Sequence, residues 1–88
     1  MSEQSGELTP IKPARIAQEI AKLSAARRNG ELKPEVYDQR FARTIQELRS
    51  RRIDGGRVEV SAALKPLLDA GDITAAEYDR LLTQLGMS

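Results

Sequence analysis

The sequence predicts an all-α fold, with four short helices arranged as two helical hairpins packed on one core. Three observations carry that expectation. The stretch from Leu64 to Leu85 contains a complete stop, turn and restart for two helices. Elsewhere, apolar residues recur at spacings of three and four, the period of a helix face rather than the alternation of a strand. Only three residues are aromatic, Tyr37, Phe41 and Tyr78. A core must therefore be built from Leu, Ile, Val and Ala, which suits helix packing better than a β-sandwich. The length of 88 residues suffices for one small domain, near the range where a single core leaves only a few kcal/mol of net stability.

Residues 1–9 are polar, with only Leu8 to bury, and are expected to form a disordered tail. The first hairpin is expected over residues 10–53. Its first helix begins at Pro13, because a proline disfavours helical angles at the residue before it and loses nothing at the first helical position. Ile16, Ile20 and Leu23 then fall on one face, and Asn29 and Gly30 stop the helix. Pro34 opens the second helix in the same way. Tyr37, Phe41, Ile45 and Leu48 form its apolar stripe, and Arg52 is taken as its end, which makes it the longest helix.

Asp54, Gly55 and Gly56 break the pattern, so residues 54–60 are expected to be a glycine-containing linker. The second hairpin follows over residues 61–88. Ser61 is a reasonable cap for a third helix ending at Ala70, with Pro66 awkwardly inside it. Gly71 suits the left-handed conformation that closes a helix, and Thr74 with Glu77 three residues on is a capping box that opens the next. Ile73 and Tyr78 flank that cap at the positions of a hydrophobic staple. Tyr78, Leu81, Leu82 and Leu85 make the apolar face of the fourth helix, and Gly86 ends it.

A shift of 41 residues lays the first hairpin on the second. Leu23 falls on Leu64, Gly30 on Gly71, Glu31 on Asp72, Leu32 on Ile73, Tyr37 on Tyr78 and Phe41 on Leu82. This register points to a duplicated hairpin. The residues Leu64, Leu67, Leu68, Gly71, Ile73, Thr74, Glu77, Tyr78 and Leu85 also carry a likeness: the second hairpin resembles the SHOCT (short C-terminal) domain family of bacterial modules. The first matches only loosely, with Lys33 in place of the cap and Val36 in place of the glutamate. The resemblance implies a non-catalytic helical module acting in interaction or oligomerisation, and it brings no active-site residues.

The chain contains no Cys and no His, which removes disulfides, thiolate nucleophiles, imidazole bases and the usual zinc and haem ligands. Asp69, Asp72 and Glu77 bracket a turn too short for a calcium loop of about twelve residues. No pair of acids sits beside an apolar pocket signature. No catalytic, cofactor-binding or metal residue, and no small-molecule substrate, is expected; the protein is not expected to be an enzyme. With no basic and apolar leader and no long apolar run, a cytoplasmic protein without a membrane partner is expected.

Two features remain as candidates for function. The stripe Tyr37, Phe41, Ile45 and Leu48 offers a helix face for a protein partner or for a second copy of the chain, and a protein–protein interaction module is the leading expectation. Arg49, Arg51, Arg52 and Arg57 surround the glycine break, and this basic cluster is the alternative, a contact to phosphate or nucleic acid. Cations at the end of a helix are also what the helix dipole favours.

Overall fold

The computed structural model describes residues 10–87, and the expected tail at residues 1–9 lies outside them. Four helices follow in order: α1 (Pro13–Arg28), α2 (Pro34–Arg49), α3 (Arg57–Asp69) and α4 (Ala75–Gln84). The described residues contain no strand, only one isolated parallel bridge between Ile11 and Ile53. The fold is all-α, as the sequence predicts.

Local chemistry explains the boundaries. α1 and α2 start at prolines and have no side-chain cap. α4 starts at the expected capping box: the Glu77 N–H donates to Thr74 Oγ1 at 3.1 Å, and Glu77 Oε1 accepts from the Thr74 N–H at 2.9 Å. The two hairpin turns share their glycine and the backbone bonds around it. Gly30 and Gly71 take φ of +76° and +78°. The Gly30 N–H donates to the Arg27 carbonyl and that of Glu31 to Ala26, while Gly71 donates to Leu68 and Asp72 to Leu67. Both turns are Schellman motifs, and their bonds sit 41 residues apart, so the turns of the two hairpins share one geometry.

Two boundaries differ from the sequence reading. α2 ends at Arg49 rather than Arg52, because the chain beyond it leaves the helix to pair with the segment before α1: the Ile11 N–H donates to the Arg52 carbonyl and the Asp54 N–H to that of Ile11, both at 2.8 Å. α2 is thus no longer than α1, at 16 residues each. α3 begins at Arg57, not after Ser61. Gly56 holds the cap position, and its N–H donates to Glu59 Oε1 at 2.8 Å, so most of the expected linker is helix. Pro66 then lies well inside α3 and leaves the Ala62 carbonyl without an intrahelical donor. Ala62 is exposed, so water can serve that carbonyl in place of the missing N–H.

α1 packs against α2 and, most extensively, against α3; α4 closes the other side against α3 and α2. The first hairpin contributes Ile16, Ile20, Tyr37, Phe41, Ile45 and Leu48 to the core, the second Val60, Leu64, Ile73, Leu81, Leu82 and Leu85. Polar contacts at the turn tie the hairpins together. Ser24 Oγ donates to the Asp72 carbonyl at 2.6 Å and Arg27 Nη2 to the same oxygen at 3.1 Å. Arg27 also pairs with Glu77 at 3.3 Å and Arg28 with Asp72 at 2.7 Å.

Candidate functional site

The first candidate face is not free. Tyr37, Phe41, Ile45 and Leu48 are each at most 4% exposed, covered by α1 and α4. The stripe belongs to the chain's own core, and no partner can reach it without opening the fold. Periodicity along one helix shows which residues are buried but not what buries them.

The arginine cluster is only partly brought together. Arg49 and Arg51 line a shallow hollow of about 420 Å³ whose opposite wall is the end of α4, at Thr83 to Met87. Arg51 also lines two hollows with Arg15 and Ile11. Arg52 and Arg57 line none of these three. Arg52 contributes its carbonyl to the bridge with Ile11, and Arg57 is the first residue of α3. The C-terminal ends of α2 and α4 both border the hollow of Arg49 and Arg51. Those negative dipole ends attract the two guanidinium groups and oppose a phosphate in the same place.

A third surface escapes the sequence reading. Between α1 and α2, on the outside of the first hairpin, lies a groove of about 530 Å³ with Leu23, Ala26 and Leu32 among its lining. Leu23 and Leu32 are half-buried, packed from the outside against the core. The rim carries both charges: Glu19, Glu31 and Glu47 against Lys22, Arg40 and Arg43. Glu19 is held by Arg15 at 3.0 Å and Lys22 at 3.8 Å, and Arg43 pairs with Glu47 at 3.7 Å. Glu31 and Arg40 have no ion pair among the described residues. The signal for this groove is Leu23, which the spacing of α1 assigns to the same face as Ile16 and Ile20; it lies about 20° from Ile16 and about 60° from Ile20, at the edge of that face, where it stays half-buried.

The described residues of these surfaces offer apolar contact and exposed charge. Among the described residues no group of three or more acids gathers that could hold a metal ion, and no helix is long and apolar enough to cross a membrane. The most perturbed group is Tyr37, whose hydroxyl is buried without a hydrogen-bond partner among the described residues. Burial, then the nearby Glu77 carboxylate, pushes its pKa up to about 12, with Arg27 opposing. That shift is a structural consequence of its place between the hairpins. No family model, no curated protein and no solved structure matches the chain.

Proposed function

We propose that this chain is a non-catalytic helical module, cytoplasmic in setting, that holds another polypeptide through the groove on the outside of its first hairpin. The observation that carries this reading is the pair Leu23 and Leu32. Both are half-buried in the lining of a 530 Å³ concavity framed by charges of both signs. An apolar floor with a mixed-charge rim is the layout of a surface that receives a helix. The absence of Cys and His from the whole sequence supports a role without nucleophilic or imidazole chemistry. The SHOCT-like motif from Leu64 to Leu85 supports it further, since that resemblance implies interaction. The alternative of phosphate contact draws less support, because the arginines are divided and two of them stand at helix ends that repel anions.

Site-specific photocrosslinking in the native cell tests the reading. A photoreactive residue at Arg43, on the groove rim, should trap another protein, and one at Lys65, on the outer side of α3, should not. Arg43 and Lys65 are both exposed and each pairs only within its own helix, so neither replacement should disturb the fold. Identical adducts from both positions, or none from Arg43, would show that the groove is not a docking surface.

A further inference from the structure

We infer that the groove takes an amphipathic helix from a different protein, patterned like this chain's own α1. The inference rests on the reading of the groove as the docking surface and adds its occupant. It follows from comparing the two hairpins in their common register of 41 residues. They turn different faces to the shared core. The second hairpin contributes Val60, Leu64, Ile73, Leu81, Leu82 and Leu85. The first-hairpin counterparts of five of these are Glu19, Leu23, Leu32, Arg40 and Thr44, and all five line the groove. Only Leu82 departs, its counterpart Phe41 being in the core. The groove is therefore the gripping surface of the repeat, on the one hairpin where the described chain does not cover it.

What that surface grips is visible on the second hairpin, where α1 lies against α3 and α2 lies against α4. Ile16 and Ile20 are fully buried there. Four residues on, Ser24 donates to the Asp72 carbonyl, and three further Arg27 donates to the same oxygen and pairs with Glu77. The surface thus selects two aliphatic residues four apart, a small polar residue, then an arginine that reads the turn. In the first hairpin the counterpart of Asp72 is Glu31, held in the same turn by the same bond to the helix end. Glu77 has become Val36, so the carboxylate for a partner's arginine is that of Glu31, which lines the groove. At Arg40, where the second hairpin has Leu81, an acidic partner residue is favoured. These two charges, unpaired among the described residues, state the complement: a helix with an aliphatic stripe, a base near Glu31 and an acid near Arg40.

A second copy of the chain does not meet that description. Its α1 is buried in its own core. Continuing the stack with its second hairpin would present the counterparts of Ile16, Ile20 and Ser24, which are Arg57, Ser61 and Lys65. Those residues cannot fill an apolar floor, so the partner is heterologous.

The probe is a fluorescein-labelled peptide of the α1 sequence, Pro13 to Arg28, with a hydrocarbon staple joining the positions of Gln18 and Lys22, titrated into the full-length protein. Saturable binding is expected, with methyl resonances of Leu23 and Leu32 shifting. Thr44→Arg, which fills the groove from a partly exposed position, should weaken binding at least about tenfold. A peptide carrying Ile16→Asp and Ile20→Asp should not bind. The inference is overturned by an absence of saturable binding up to about 1 mM peptide, a free energy of only about −4 kcal/mol. It is equally overturned if shifts centre on Leu64 and Leu81, which would mean displacement of the chain's own α1, or if the protein alone dimerises through Leu23 and Leu32. Adducts from Arg43 in the cell without peptide binding would leave the groove as a docking surface and remove only the occupant; failure of both measurements would remove both.

Discussion

At the scale of single residues, the junction between the hairpins is built around Arg27 and Tyr37. The guanidinium carbon stands 3.9 Å from the centre of the Tyr37 ring, and that ring lies 5.7 Å from the Phe41 ring. Arg27 can hold that position because its donors also reach the Asp72 carbonyl and Glu77, and its stem lies along apolar surface. The Tyr37 hydroxyl is buried beside the Glu77 carboxylate, near enough for that group to act on it but outside hydrogen-bond geometry. A neutral hydroxyl in such a place is costly and its anion far more so, hence a pKa raised from 10.0 to about 12. A raised folded-state value means the stabilising form is fully present below pH 10 and is lost as pH climbs through about 12. Between those limits, ionisation of Tyr37 should remove on the order of 1–3 kcal/mol. Tyr37→Phe deletes the unpaired hydroxyl without opening a cavity, so it should be as stable as the parent or slightly more stable at pH 7. Its advantage should grow above pH 10. Urea unfolding of both proteins at pH 7 and pH 11 measures this. A Tyr37→Phe protein weaker at pH 7 by more than about 1 kcal/mol would mean that the hydroxyl makes a bond the geometry does not show.

At the scale of elements, the turns hold most of the information that the sequence makes legible. Gly71 has φ of +78° and open space where a Cβ would stand, so any cost of a side chain there comes from the backbone alone. Gly71→Val should therefore destabilise by about 1–2 kcal/mol. Thr74→Ala removes the acceptor for the Glu77 N–H and should cost about 1 kcal/mol. Thermal melts of both variants check these values, and unchanged midpoints would contradict the capping argument. These positions could be read from sequence because each combines residue type with fixed spacing. The start of α3 could not. Its cap is Gly56, which has no side chain to announce it, and only the Glu59 carboxylate closes the contact, a bond that also holds that carboxyl below its ordinary range. The end of α2 was hidden for another reason: the bridge between Ile11 and Ile53 joins segments more than forty residues apart, and no local pattern encodes such a pairing.

At the scale of the molecule, the surface proposed to grip a partner stays uncovered by the described chain on the first hairpin, and the residues there differ from those of the second. Val60, Leu81 and Leu85 of the second hairpin are buried, whereas their counterparts in the first are Glu19, Arg40 and Thr44. Polar replacement at the end of a stack keeps it soluble. Leu23 and Leu32 were not replaced, which leaves a groove rather than a sealed cap. The candidate stripe at Tyr37 to Leu48 was legible as apolar, but whether a stripe faces its own chain or another depends on the angle between hairpins, and no single helix records that angle. The same logic predicts the behaviour of the converse variant. Glu19→Val, Arg40→Leu and Thr44→Leu together give the first hairpin the gripping residues of the second, adding three apolar side chains to an exposed face at about 25 cal/mol per Å² of surface they later bury. The parent protein should scatter light as a monomer across a hundredfold range of concentration at low and high salt. The triple variant should keep its helical circular dichroism yet self-associate, and the association should persist at about 1 M salt, where exposed charges are screened over roughly 3 Å. If the variant remains monomeric and binds the α1 peptide no more tightly than the parent, the groove is not equivalent to the surface that holds α1, and the register of 41 residues describes the turns alone.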